Sequence, residues 1–254
     1  METRFVHADD GTRLAYDCQG DGPGLLLLHG MPEGRRQWHD LGYVARLRPH
    51  FTVVTPDVRG FGESDTPATP DAYAVEILLA DVARVAAACR LERFAVWGYS
   101  FGAILGLHLA ARSPLVTRAV IAGTHFGRAM TAEVVARSVA QAEEVARAKD
   151  AGRLDALPLT PAQRAVAARI DIPAHIACLR AMAAWPPIAP RELHCPAFVY
   201  AGAADAEIAG ALEAQRAEIA AAGIALHVFA DLTHDGELRA VDTILPPALE
   251  FLRG

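Results

Sequence analysis

One pentapeptide constrains this chain more than any other stretch. Gly98-Tyr99-Ser100-Phe101-Gly102 follows the apolar run Phe94-Ala95-Val96-Trp97, which reads as a short buried strand, and precedes residues 104–111, which read as a helix. A serine set between strand and helix, with glycine two residues before and two after it, predicts a nucleophile elbow. The serine backbone is expected to be strained there, and larger residues at the two glycine positions would collide.

The chain also supplies the sheet that such a turn requires. Leu25-Leu26-Leu27-Leu28, Phe51-Thr52-Val53-Val54 and Ala119-Val120-Ile121-Ala122 are short apolar runs suited to strands covered on both faces. Val75, Leu78, Leu79, Val82, Val85, Ala86 and Cys89 recur at helical spacing, and residues 41–47 are expected to form another helix. Phe5-Val6-His7 and Leu14-Ala15-Tyr16 flank Asp10-Gly11 and read as an opening β-hairpin. This alternation predicts an α/β fold: a mostly parallel, doubly wound sheet with helices on both faces. With 254 residues, 52% hydrophobic and 21% charged, the chain is long and apolar enough for one large core.

The rhythm stops after Gly123. Residues 132–149, 161–170 and 174–184 are alanine- and arginine-rich amphipathic stretches, separated or closed by Pro158, Pro161, Pro173, Pro186, Pro187 and Pro190. They predict an all-helical cap, residues 125–190, inserted between strands 6 and 7 of a core formed by residues 1–124 and 191–254. Strand rhythm returns at Ala197-Phe198-Val199-Tyr200 and Leu226-His227-Val228-Phe229, with helices expected over 207–222 and 243–252.

A serine hydroxyl is a poor nucleophile near neutral pH; it needs a base, and the base needs a group to orient it. Asp205, in Gly202-Ala203-Ala204-Asp205, and His234, in Leu232-Thr233-His234-Asp235-Gly236, each lie just past a predicted strand. Such loops gather at one edge of a parallel sheet. Asp205 also suits the N-cap of the helix that follows it, and Asp231 and Asp235 are alternative acids beside His234. Acyl transfer further needs donors for the developing oxyanion. The N–H of Phe101, at a helix N-terminus, and that of Met31, after the strand ending at Leu28, are the candidates. His29 is expected to be structural, its ring bonding nearby backbone. Trp38, Phe61, Tyr99, Phe101, His125, Phe126, Met182 and Trp185 are candidate pocket liners. The set is mostly apolar and favours a small or medium, uncharged acyl substrate.

His29-Gly30-Met31-Pro32, Asp57-Val58-Arg59-Gly60-Phe61-Gly62-Glu63-Ser64, the pentapeptide around Ser100, Gly202-Ala203-Ala204-Asp205 and His234 together resemble the α/β-hydrolase superfamily, in the branch with a helical cap between the sixth and seventh strands. The resemblance implies a triad of Ser100, Asp205 and His234, an oxyanion hole of Met31 and Phe101, and no cofactor. It implies a small-molecule ester or lactone as substrate, cleaved through an acyl-enzyme. The stretch from Asp57 to Ser64 resembles a loop that shapes the scaffold and is assigned no chemistry. Thr233 stands where the family often has glycine, and Ala209 where a proline commonly follows the acid. Ser100 argues against the chemistry of similar haloalkane dehalogenases and epoxide hydrolases, which use an aspartate nucleophile. The same triad suits carbon–carbon bond hydrolysis or cofactor-free haloperoxidase (perhydrolase) chemistry. A ligand-binding receptor on a hydrolase scaffold is a third, non-enzymatic reading.

Other classes find little support. The net charge of −6 and the absence of a basic cluster argue against nucleic acid or an anionic membrane as partner. No apolar run approaches the roughly 18 residues of a membrane span. The first twenty residues lack the apolar segment of a signal peptide, and Cys18, Cys89, Cys178 and Cys195 form no Cys-x-x-Cys pair. Free thiols and a cytoplasmic location are therefore expected. The ten histidines show no paired metal-ligand spacing, and the single lysine, Lys149, belongs to no phosphate-binding loop, so no metal or nucleotide site is expected.

Overall fold

The computed structural model describes residues 2–254. Eight strands form one sheet: β1 (Arg4–His7), β2 (Arg13–Gln19), β3 (Gly24–Leu28), β4 (Thr52–Pro56), β5 (Phe94–Tyr99), β6 (Val116–Ala122), β7 (Ala197–Gly202) and β8 (Ala225–Phe229). Their order across the sheet is β1-β2-β4-β3-β5-β6-β7-β8. The β1–β2 and β2–β4 pairs are antiparallel; every pair from β4 to β8 is parallel. The first two strands are the expected hairpin, with Gly11 at φ 85 in its turn.

The side-chain period of two divides each buried strand between two cores. Leu26 and Leu28 of β3, Val96 of β5 and Ile121 of β6 join one apolar cluster. Leu25 and Leu27, Trp97, and Val120 with Ala122 join the other. Residues 25–28, 94–97 and 119–122 of these strands are apolar throughout because both faces are covered, whereas Thr117 and Arg118 near the start of β6 are only partly buried.

The helices are α1 (Arg36–Asp40), α2 (Tyr43–Leu47), α3 (Val75–Ala88), α4 (Phe101–Arg112), α5 (Ala132–Asp150), α6 (Pro161–Arg169), α7 (Ile172–Met182), α8 (Ala206–Ala214), α9 (Arg216–Ala221), α10 (Gly236–Arg239) and α11 (Val241–Arg253). Residues of α3, α4, α8 and α9 cover the first face, and residues of α2 and α11 cover the second. One expected helix is broken: Gln215 separates α8 from α9. The helix expected over 41–47 is α2, which begins after Gly42, in the left-handed region at φ 81, and α1 before it was not expected. The four-residue α10 was not expected, because one turn carries no readable periodicity.

Between β6 and β7 the chain adds no strand to the sheet and forms α5, α6 and α7. Thr131, Thr160 and Asp171 cap their N-termini, each accepting a backbone N–H three residues on. The segment meets the core at several points, among them Gln215 Nε2, which donates to the Phe126 carbonyl at 3.1 Å. Trp185 Nε1 donates to the Tyr73 carbonyl at 3.0 Å, Thr66 Oγ1 donates to Asp171 Oδ2 at 3.1 Å, and Arg169 pairs with Glu33 at 3.3 Å. Among the described residues no helix is long and apolar enough to cross a membrane.

Candidate active site

Ser100 sits between β5 and α4 at φ 53, ψ −115. A non-glycine residue held there stores on the order of 1–3 kcal/mol of strain. The surroundings fix it in place. The Ser100 N–H donates to the Ala122 carbonyl at 2.8 Å, tying the turn to the end of β6. A Cβ on Gly98 would lie 2.1 Å from the Gly102 carbonyl oxygen, and one on Gly102 would lie 2.1 Å from the Leu28 carbonyl oxygen. Backbone passes where those side chains would be, so both positions require glycine.

The loops after β5, β7 and β8 converge at the C-terminal edge of the parallel strands, as expected of an open α/β sheet. His234 Nε2 lies 3.0 Å from Ser100 Oγ, and His234 Nδ1 lies 2.7 Å from Asp205 Oδ2. The carboxylate selects the tautomer: Nδ1–H donates to Asp205, leaving Nε2 to accept the Ser100 hydroxyl. Asp205 stands at the N-cap of α8 but makes no side-chain cap bond, so its carboxylate serves the histidine and not the helix. Asp235 instead pairs with Arg239 at 2.6 Å on the surface.

Tyr99 supports His234 from below. Its hydroxyl donates to the His234 carbonyl at 2.8 Å, and its ring lies against the imidazole with centroids 5.3 Å apart. Burial raises the Tyr99 phenol above its ordinary range, so it stays a donor. Thr233 Oγ1 accepts the Gly236 N–H at 3.2 Å, giving the loop a side-chain brace where the family often has glycine.

The loop after β3 lies beside the serine; a Cβ on Gly30 would be 3.5 Å from Ser100 Cβ. Gln37 Oε1 accepts the Gly30 N–H at 3.0 Å. His29 is fully buried and bonds backbone on both sides: Nε2 accepts the Val58 N–H at 3.1 Å, and Nδ1 lies 3.1 Å from the Gly30 carbonyl oxygen. Burial depresses its basicity, which keeps it neutral. The N–H groups of Met31 and Phe101 take no part in the hydrogen bonds found among the described residues. Behind this loop Asp57 accepts the N–H groups of Arg35 and Glu63 and the Arg35 guanidinium, so the stretch from Asp57 to Ser64 is a scaffold brace.

The candidate liners separate into two groups. Phe101 packs against Phe61, His29 and Trp185, with ring centroids 5.4–6.3 Å apart, and Phe126, Met182 and Trp185 belong to the same buried cluster. His125 is partly buried, and its Nδ1 lies 2.6 Å from the Phe126 carbonyl oxygen. Trp38 is a correction. It is fully buried on the opposite face of the sheet, edge-on to Tyr43 and Trp97, and is a core residue. The orientation of α1, which the sequence does not display, turns it away from the serine.

Two residues near the site escaped the sequence reading. His175 of α7 meets Phe61 edge-on at 6.1 Å, and burial pushes its pKa down to about 4. Glu237, three residues after His234, is completely buried. Asp205, His234 and Glu237 bring potential metal-ligand atoms within 4.8 Å of one another. The Asp205–His234 hydrogen bond already occupies two of those groups, and burial first, then the Asp205 charge, raises the Glu237 pKa to about 8. A mostly protonated acid is a poor cation ligand, so the set fits a hydrogen-bonded cluster better than a metal centre.

Known proteins share this architecture. An enol-lactonase from Burkholderia xenovorans LB400 is 25% identical, with a TM-score of 0.79 over 99% of this chain and 100% of that one. An esterase from Exiguobacterium antarcticum is 20% identical, with a TM-score of 0.80 over the whole of both chains, a likeness of fold. Among curated relatives, epoxide hydrolase 3 of Siraitia grosvenorii is 29% identical over 113 residues, 44% of this chain and 35% of that protein. The chain matches only about a third of the length of such relatives. A family model described as alpha/beta hydrolase fold matches residues 23–181, more than half of the chain. The chain belongs to the α/β-hydrolase fold family.

Proposed function

We propose that the protein is a serine hydrolase that cleaves a carboxylic ester or lactone through an acyl-enzyme. The observation that carries this reading is the continuous path Ser100 Oγ–His234 Nε2 at 3.0 Å and His234 Nδ1–Asp205 Oδ2 at 2.7 Å, starting at a serine in a strained turn. Ser100 attacks the carbonyl while His234 takes its proton. Asp205 orients the ring and stabilises the imidazolium. The N–H groups of Met31 and Phe101 hold the oxyanion, helped by the positive end of α4. His234 then returns the proton to the leaving alcohol, and water, activated by the same histidine, releases the acid. Residues 125–190 act as the cap over this site, with Phe61, Phe101 and Trp185 forming an apolar wall suited to an uncharged acyl group.

The nucleophile separates this reading from epoxide opening. A serine oxygen that opened an epoxide would remain as an ether, which water does not cleave. Attack on an ester or lactone leaves an ester, which it does. The likeness to an enol-lactonase along the whole chain favours the same choice.

The test is a comparison of wild type with Ser100→Ala on short p-nitrophenyl esters and simple lactones, with circular dichroism to check folding. Turnover and labelling by a fluorophosphonate are expected in the wild type and are lost in the folded variant. Equal turnover in both proteins removes the assignment. A folded wild type whose Ser100 neither turns over these substrates nor reacts with the probe favours a ligand-binding protein on this scaffold.

A further inference from the structure

A second carboxyl group lies beside the Ser100–His234–Asp205 path. Glu237 stands in the first turn of α10 and is 0% exposed. Its Oε1 accepts the Gly202 N–H at 2.7 Å, at the strand end that leads to Asp205. Its Oε2 is buried and receives no N–H or O–H from the described residues. That oxygen faces a space kept open by Gly123: a Cβ there would lie 2.7 Å from Oε2 and 2.9 Å from His234 Cε1. The turn itself is clamped, since Tyr200 donates to the Glu237 carbonyl at 3.2 Å and Tyr43 donates to the Leu238 carbonyl at 2.8 Å.

The groups facing Glu237 are few. Asp205 approaches from the turn after β7 and His234 from the loop before α10, their ligand atoms all within 4.8 Å. The phenols of Tyr99 and Tyr200 are held neutral by burial. The nearby Arg239 is committed to Asp235 on the surface. No cation pairs with Glu237 among the described residues, so two ionised carboxylates would face each other in a water-poor site. Sharing a proton relieves this and also gives Oε2 something to donate. Burial and the Asp205 charge raise the Glu237 carboxyl to about 8, the direction that such sharing requires.

We propose that Glu237 is a positioning residue: as the carboxylic acid it bridges the Gly202 N–H and the Asp205 carboxylate, and by donating its O–H to Asp205 it holds that carboxylate against His234 Nδ1. The inference rests on the triad reading above. The pair carries one proton and one negative charge at neutral pH. In alkaline solution the proton passes to hydroxide, the second carboxylate repels Asp205, and His234 loses its orientation. Glu237 thus sets an upper pH boundary on the site.

The experiment uses Glu237→Gln and Glu237→Ala in the full chain. Glutamine keeps an acceptor for the Gly202 N–H and a donor for Asp205, and does not titrate. Alanine removes both. The rate of fluorophosphonate labelling of Ser100 is followed against pH. In the wild type it is expected to fall through a single ionisation near pH 8, in Glu237→Gln that alkaline fall is absent while the acid limb remains, and in Glu237→Ala labelling at pH 7 slows about tenfold. Superimposable wild-type and glutamine profiles overturn the inference. A second measurement does not depend on reactivity: carboxyl carbon-13 resonances of glutamate-labelled protein. One glutamate is expected to titrate near pH 8 and to be missing from Glu237→Gln. If no glutamate titrates above about pH 6, the inference fails whether or not Ser100 reacts. Failure of Ser100 to react while that resonance is present instead overturns the hydrolase reading alone.

Discussion

His234 Nε2 reaches to within 3.0 Å of Ser100 Oγ although their strands, β8 and β5, are separated in the sheet by β6 and β7. The loop after β8 therefore lies across the ends of two intervening strands. Glycine ends β7, as Gly202, and stands just past the end of β6, as Gly123. A Cβ on Gly202 would be 1.9 Å from the Leu232 carbonyl oxygen, and one on Gly123 would be 2.9 Å from His234 Cε1. Gly202→Ala is expected to lift the loop, costing about 2–4 kcal/mol of stability and at least about a hundredfold in kcat. Urea unfolding and ester turnover of the purified variant check both numbers. A variant with wild-type kcat would mean that His234 does not depend on this crossing.

Tyr99 holds the same loop by one hydrogen bond and one ring contact, and the two separate cleanly. Tyr99→Phe keeps the ring against His234 and removes the 2.8 Å bond to its carbonyl. The expected loss is about 1 kcal/mol of stability, with a several-fold fall in kcat and an unaltered KM, since the hydroxyl faces backbone and not the serine. Steady-state kinetics on one ester is sufficient; a rise in KM with constant kcat would assign the hydroxyl to substrate binding instead.

The strain at Ser100 gives a prediction in which stability and activity move in opposite directions. Its φ of 53 with ψ −115 suits glycine alone. Ser100→Gly is expected to gain about 1 kcal/mol in unfolding free energy while losing turnover. Ser100→Ala keeps the Cβ and so keeps the strain. Comparing the two by urea denaturation weighs the strain against the extra freedom glycine gives the unfolded chain, and a Ser100→Gly variant less stable than Ser100→Ala by about 0.4–1 kcal/mol would show that the turn is not strained.

What the sequence displays and what it hides follow from how each feature is encoded. Ser100, Asp205 and His234 stand just past strands whose apolar runs are visible one residue at a time, in the order along the chain that the resemblance implies. The fold brings these three within hydrogen-bond reach of one another. Trp38 was misread because an aromatic residue after β3 packs on either face equally well, and only the orientation of α1 decides. Glu237 was missed for a related reason. An acid three residues past a histidine looks like surface, and its burial comes from α10, a single turn too short to leave a periodic pattern.

Glu237 also ties folding to pH in a direction opposite to that of an ordinary salt-bridged carboxylate. Its ordinary value is 4.5, and in the folded protein it rises to about 8, mainly through burial. Between those two values the folded state holds a proton that the unfolded chain has released. Stability must then fall as pH rises across this window, by up to about 1.4 kcal/mol per pH unit for one proton. Below 4.5 the group is protonated in both states and costs nothing; above 8 it is ionised in both, and the penalty levels off. Glu237→Gln lacks this dependence, while the titrating groups remote from Glu237 are common to the two proteins and cancel in the difference. The wild type is therefore expected to lose stability relative to Glu237→Gln steadily from pH 5 to 8, and the gap to become constant at higher pH. Urea unfolding of both proteins at half-unit intervals measures it. A difference that stays flat across that range would mean that the folded Glu237 titrates like a solvent-exposed acid, and the hydrogen bond to Asp205 would go with it.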